Sequence, residues 1–217
     1  MNARPAVAEF VGTGLLAYVV VGSGIAAETP RTDGTAGLFF HAVIVGLALA
    51  ALIALLSSTS GAHFNPAVTL ALWRRRALSG RTAAGYFVAQ IVGAAAGVAV
   101  GAASFGEALA LSSTVRTGWA SVLAEGIGTM VLVLLILHLL DEDRTHAVAP
   151  LVGAWVGAAV FATISSGFLN PALTVARTFT DTSTGIAPSS APGFVVAQLI
   201  GGLLAVFVST HLLVASQ

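Results

Sequence analysis

The sequence predicts an all-α membrane protein in which six transmembrane helices and two half-helices form an inverted repeat. Three observations carry this. Hydrophobic residues make up 57% of the 217-residue chain and charged residues 8%, against about a quarter charged in an ordinary soluble domain. Six apolar stretches are long enough for a bilayer core of about 30 Å, which takes roughly 20 apolar residues per helix. Two Asn-Pro-Ala tripeptides, Asn65-Pro66-Ala67 and Asn170-Pro171-Ala172, stand at matching places in two halves that echo one another.

The first span covers residues 6–25; Arg4, Pro5 and Glu9 stand where a cleaved signal needs an unbroken apolar run, so it is expected to be retained. The second covers 38–56, the third 82–102, the fourth 121–140, the fifth 148–164 and the sixth 194–214. Two intervening stretches, 61–73 and 167–178, are too short to cross a bilayer and read as half-spans. Glycine recurs at every fourth position at Gly93, Gly97 and Gly101, and again at Gly153 and Gly157. Such small residues let helix backbones approach closely, although glycine is also simply common in membrane helices.

Ala8-Glu9-Phe10-Val11-Gly12-Thr13 is echoed by Ala124-Glu125-Gly126-Ile127-Gly128-Thr129. Phe87-Val88-Ala89-Gln90-Ile91-Val92-Gly93 is echoed by Val195-Val196-Ala197-Gln198-Leu199-Ile200-Gly201. With three spans per half, the copies at about 1–103 and 118–217 enter the membrane in opposite senses and form one domain over 1–217. Arg4, Arg74, Arg75, Arg76, Arg81 and Arg144 then lie on the side of the termini, with Arg31, Arg116 and Arg177 opposite. The excess of arginine predicts that both termini are cytoplasmic.

Each Asn-Pro-Ala reads as a helix start. Proline at the first helical position loses no hydrogen bond, and the preceding Asn caps free N–H groups. In an inverted repeat the two half-helices enter from opposite faces and meet near the midplane. Irregular backbone at that depth survives where it lines an aqueous cavity, so residues 60–64 and 165–169 are expected to offer carbonyls to a pore. Two helix N-termini leave roughly half a positive charge each at the junction, which repels cations. The Asn65 and Asn170 amides can donate to a passing solute oxygen while interrupting a proton wire, which favours neutral hydroxylated solutes.

Zero net charge gives no reason to expect a nucleic-acid partner. The chain has no cysteine, no Gly-x-Ser-x-Gly elbow and no paired catalytic carboxylates, so an enzyme is not expected. His138, His146 and His211 lack partners at ligand spacing, and no metal or cofactor is expected. Asp141, Glu142, Asp143 and Arg144 read as a solvated turn, and Arg74 to Arg76 as a topology anchor. Inverted repeats with broken helices also mark secondary transporters, which remain a rival: a channel's flux is nearly linear in gradient, whereas a carrier's saturates.

Gly-Ala-His63-Phe-Asn65-Pro-Ala-Val-Thr, Asn170-Pro-Ala, the Ala-Glu-x-x-Gly-Thr echoes and the Ala-Gln helices resemble the major intrinsic protein family of aquaporins and aquaglyceroporins over nearly the whole chain. The resemblance implies an aquaporin-like bundle, a homotetramer in the cell membrane and one pore per subunit, passing small neutral solutes and water. It gives Glu9 and Glu125 a scaffold role, accepting backbone hydrogen bonds before the half-helices. His63 is expected to turn its carbonyl to the pore, with its ring either packed or gating with pH.

The chain departs from the family where an Arg usually follows the second Asn-Pro-Ala, since that position is Leu173. Counting back without gaps puts the other filter positions at Val45, Ala158 and Gly167, the fifth-span match lying within a residue of Ala158. All four are apolar or small, which implies a wide, greasy gate in place of a narrow polar one. Family members lacking this Arg resemble channels of bacterial arsenic-resistance operons, which implies metalloid hydroxides such as arsenite, or methylated arsenicals, alongside glycerol-like polyols and water. An ordinary water or glycerol pore is the alternative. Arg177 and His41 each lie one turn outward of a filter position and are expected either to form a polar ring, or to mark snorkelling and a span end respectively.

Overall fold

The computed structural model describes residues 3–28 and 34–213; Arg31 and the end of the sixth span at Val214 lie outside them. The six spans are α1 (Arg4–Ala27), α2 (Gly34–Ser60), α4 (Gly80–Ser104), α5 (Trp119–Asp141), α6 (Val148–Ala162) and α8 (Ala191–Val208). The half-helices are α3 (Pro66–Arg74) and α7 (Pro171–Ala176), the second prolonged by a 3-10 turn at Arg177–Phe179. A 3-10 turn at Thr145–Ala147 leads into α6, and a π-helical turn at Ser209–Leu213 prolongs α8. The spans agree with the predicted stretches to within a few residues. The fifth is the exception in kind: α6 stops at Ala162, because residues 163–169 unwind toward the second half-helix.

Hydrophobic side chains stand outward along every span, among them Leu47, Leu55, Val88, Val100 and Val196, each more than half exposed. In water such a surface would be ruinous, whereas in lipid it is solvated. This is an integral multi-pass membrane protein. The polar groups are turned inward: Glu9, Thr13, Gln90, Glu125, Thr129 and Gln198 have no exposed surface at all.

The two copies pack alike. α1 lies along α4 and α5 along α8, while α2 crosses α6. Lipid supplies no hydrophobic drive between helices, so these contacts rest on close backbone approach. A Cβ on Gly93 would run into the carbonyl of Phe10, and one on Gly201 into that of Gly126, the matching residue of the second copy. A Cβ on Gly46 would lie 2.6 Å from the Gly153 carbonyl, and one on Gly153 would strike that of Gly46. Glycine clears room for the junction as well: a Cβ on Gly12 would enter the Phe64 ring, and one on its repeat mate Gly128 would lie 2.5 Å from Leu169.

The half-helices run from their meeting point to opposite sides. α3 ends at Arg75, whose Nη2 lies 2.8 Å from Asp141 Oδ1 at the end of α5 and whose Nη1 donates to Ser209 Oγ at 2.9 Å. Asp141 is therefore a fastener between elements and not simply part of a solvated turn. α7 ends beneath the opposite loops. Arg4, Arg74, Arg75, Arg76, Arg81 and Arg144 share the side of the termini, with Arg116 and Arg177 opposite.

Gly97→Leu tests the packing, since any Cβ there meets the Gly14 carbonyl and Ala17. Overpacking of this kind costs about 1–3 kcal/mol or more, so its thermal midpoint in nanodiscs should fall by several degrees. Gly85→Ala, whose Cβ has nothing within 4 Å, should leave the midpoint unchanged or slightly raised.

Candidate pore and its two mouths

Asn65 and Asn170 have extended backbones and cap α3 and α7: Asn65 Oδ1 accepts from Ala67 N at 2.9 Å, and Asn170 Oδ1 from Ala172 N at 3.0 Å and Leu173 N at 3.3 Å. The amide nitrogens cross the junction. Asn65 Nδ2 donates to Leu169 O at 2.7 Å and Asn170 Nδ2 to Phe64 O at 2.8 Å, latching each half-helix to the chain that precedes the other. An amide nitrogen has two N–H groups, so one on each Asn is left for a solute. Pro66, Pro171, Ala67 and Ala172 are buried at the helix starts.

The backbone before each motif adopts matching left-handed conformations. Gly61, Ala62 and Phe64 have φ of 85°, 52° and 49°, and their counterparts Ser166, Gly167 and Leu169 have 61°, 52° and 47°. For residues other than glycine such conformations cost of order 1–3 kcal/mol each. Two carboxylates hold them. Glu9 Oε1 accepts from Ser60 Oγ at 2.7 Å and His63 N at 2.9 Å, and its Oε2 from Phe64 N and Gln90 Nε2, both at 2.7 Å. Glu125 accepts from Phe168 N at 2.9 Å, and from Leu169 N and Gln198 Nε2 at 2.7 Å. Thr69 Oγ1 and Thr174 Oγ1 accept from the same glutamines at 2.8 and 2.9 Å. The threonines were legible as the shared Asn-Pro-Ala-x-Thr, but their partner required the fold.

A cavity of about 240 Å³ runs through the bundle, from His41 and Arg177 at one end, past Asn65 and Asn170, to Leu72 and Leu140 at the other. The stretches around His63 and Gly167 form part of its wall, with Phe64 O and Leu169 O already engaged by the asparagines. The His63 ring packs edge-on against Tyr86 at 5.2 Å and its Nδ1 lies 3.0 Å from Thr69 Oγ1, so the ring belongs to the scaffold.

Val45, Gly167 and Leu173 line this cavity together. Ala158 does not: it is exposed on the opposite face of α6, in an outer groove with Phe39, Gly46 and Phe161, while Val156 and Val160 face the cavity. A residue count does not fix which face of α6 turns to the cavity, and here that face carries Val156 and Val160. Two residues of slip on a helix amount to about 200° of rotation, which exchanges inside for outside. Gly167 is required by space, since a Cβ there would lie 2.6 Å from the Ala159 carbonyl carbon, whereas its φ of 52° is one that Ala62 also adopts.

Arg177 and His41 meet at one mouth, lining both the pore and a vestibule of about 480 Å³. Arg177 is buried, donates from Nε to Thr184 O, and stacks over Phe168 with its guanidinium carbon 3.4 Å from the ring centre. It does not snorkel outward. His41 Nδ1 lies 2.8 Å from Ser23 Oγ. The sequence put Arg116 on this side and Phe168 in the stretch before the second motif but gave no sign that they meet; Arg116 arrives from the loop at 105–118, which clasps the segment after α7. In that clasp Ser112 N donates to Thr178 O at 2.9 Å and Ala187 N to Thr114 O at 2.7 Å. Asp181 accepts from Ser113 N and Oγ, which holds its carboxyl below the usual range.

A profile for the major intrinsic protein family matches residues 1–168, ending just short of the second Asn-Pro-Ala. The chain is 43% identical over 211 residues to the aquaglyceroporin AqpS of Rhizobium meliloti, covering 97% of this chain and 90% of that protein. It is 32% identical to the probable aquaporin AqpM of Archaeoglobus fulgidus, covering 94% and 95% of the two chains. The X-ray structure of the aquaglyceroporin from Plasmodium falciparum superposes with a TM-score of 0.77 at 23% identity, covering 99% and 98%.

If the carboxylates are scaffold, Glu9→Gln and Glu125→Gln each turn an amide N–H toward a buried donor. An unsatisfied buried group costs about 1–3 kcal/mol, so the thermal midpoint should fall and the flux of every solute should decline together. A proton relay would instead lose proton flux at unchanged stability.

Proposed function

The chain belongs to the major intrinsic protein family of membrane channels, and from that premise we propose a passive pore for small uncharged solutes whose wide apolar filter admits metalloid hydroxides such as arsenite, or methylated arsenicals, beside glycerol-like polyols and water. The observation that carries the reading is the wall outward of the asparagines: Val45, Val160, Gly167 and Leu173, with no polar side chain among them. An ion crossing such a ring loses hydration without replacement and meets two helix N-termini just beyond. A neutral hydroxylated solute loses far less, and finds the spare Asn65 and Asn170 N–H groups next.

The likeness to an aquaglyceroporin supports polyols among the solutes. The likeness to a probable aquaporin favours the second reading, an ordinary water pore. The apolar ring argues for the larger solutes, because a water-selective gate needs polar groups to replace hydration at a narrow point. His41 and Arg177 supply polar groups one turn further out, where they sort solutes before the ring. The six arginines on the side of the termini support cytoplasmic N- and C-termini in a cell membrane. Its exposed apolar faces suit the homotetramer implied by the family resemblance.

Stopped-flow light scattering on proteoliposomes tests this with water, glycerol and arsenite. Leu173→Arg should slow glycerol and arsenite at least tenfold, a barrier increase of about 1.4 kcal/mol or more, while water is affected less. Unchanged flux of the larger solutes would defeat the wide-gate reading, and saturation with counterflow would point to a carrier. Separately, Arg177→Ala should shift the ratio of glycerol to water permeability; an unaltered ratio would remove the polar ring from the selectivity argument.

A further inference from the structure

The vestibule opposite the termini holds two guanidiniums that form no ion pair with an acid of the described residues. Arg177 and Arg116 share one aromatic platform, their guanidinium carbons lying 3.4 Å and 5.2 Å from the centre of the Phe168 ring. Phe168 is itself braced edge-on by Phe194, with ring centres 5.4 Å apart. Arg177 donates from Nε to Thr184 O; Arg116 donates from Nε to Gly185 O at 2.8 Å and from Nη2 to Ser183 O. All these acceptors are neutral carbonyls, which orient a guanidinium and leave its charge intact. A guanidinium has five N–H donors, so both retain donors beyond these bonds.

The nearby acids accept from neutral donors and none pairs with either arginine. Glu28 stands in the vestibule wall with Oε1 accepting from Ser183 N at 2.9 Å, Asp181 is held by Ser113, and Glu125 accepts from Phe168 N, Leu169 N and Gln198. Among the described residues the salt bridge found is Arg75–Asp141, at the other mouth. His41 completes the wall. Ser23 Oγ donates to Val19 O at 2.6 Å, so its contact with His41 Nδ1 has the imidazole as donor; Nε2 of the neutral ring is then an acceptor, and the donors for an anion are those of the two arginines.

We propose that this vestibule is a binding site for small soluble oxyanions of the phosphate and sulfate class, seated between Arg116 and Arg177, and that an anion there obstructs the pore. Two like charges beside one ring repel each other, and an oxyanion between them relieves that repulsion while accepting forked N–H donors. The roughly 480 Å³ of the vestibule has room for it. The anion goes no further, because Val45, Val160 and Leu173 would strip its hydration and return nothing. Capture without conduction follows. The obstruction rests on the channel reading of the preceding section; the binding does not.

The test uses the full chain in nanodiscs of zwitterionic lipid, with inorganic phosphate as the probe and chloride holding ionic strength constant. Calorimetry should show saturable binding of one phosphate per chain and a raised thermal midpoint for the wild type. Arg116→Gln and Arg177→Gln should each weaken binding at least tenfold, and Arg116→Lys should restore part of it. In proteoliposomes, phosphate should slow wild-type glycerol flux relative to chloride, and the Gln variants, each normalised to its own chloride rate, should be relieved. No binding, or equal binding by wild type and both Gln variants, would overturn the proposal; binding without any effect on flux would overturn the obstruction. Absence of glycerol flux in chloride would defeat the channel reading instead, while calorimetry still decides the site.

Discussion

A backbone that leaves the helix in the middle of a membrane must find partners for its N–H groups inside the protein, since lipid offers none. This chain does so twice, and both times a carboxylate with no exposed surface meets the need. Glu9 gathers His63 N and Phe64 N, Glu125 gathers Phe168 N and Leu169 N, and each is steadied by a glutamine from the neighbouring span. These bonds hold residues in left-handed conformations, and those conformations present Phe64 O and Leu169 O to the asparagine of the opposite half-helix. The cavity is thus shaped by two buried carboxyl groups that are not part of its wall.

That arrangement depends on how closely the spans approach. Glu9 reaches the first unwound stretch, and Gln90 reaches Glu9, because Gly93 and Gly97 let α4 lie directly on the backbone of α1. Gly201 does the same between α8 and α5. Packing and hydrogen bonding are therefore coupled: a methyl group at these contacts would shift the helix that carries the acceptor or its partner. The repetition of this coupling in both copies gives the half-helices equal and opposite approaches to the junction.

The two mouths break the symmetry. Arg75, Asp141 and Ser209 tie three helix ends together on the side of the termini. On the other side a loop folds inward and brings Arg116 beside Arg177 over Phe168, where neither forms an ion pair with an acid of the described residues. Between that polar mouth and the asparagines stands a ring of aliphatic side chains. A solute is met first by charge, then by hydrocarbon, then by amide donors, and this order favours neutral molecules that carry their own hydroxyls.

The spans, the half-helices, the repeat and the asparagine caps were legible in the residues, because each follows from a local rule: length against bilayer thickness, Pro at a helix start, and repeated words at matching places. Val45, Gly167 and Leu173, reached by counting from the motifs, lie in the wall of the cavity. Ala158, reached by the same count, lies in the outer groove: a residue count does not decide which face of α6 turns inward, and Val156 and Val160 face the cavity instead. The settings of Arg177 and Arg116 were decided by tertiary structure alone. Their neighbours, Phe168, Thr184 and Ser183, come together through loop closure, and no periodicity in a sequence records which distant carbonyl a guanidinium will find.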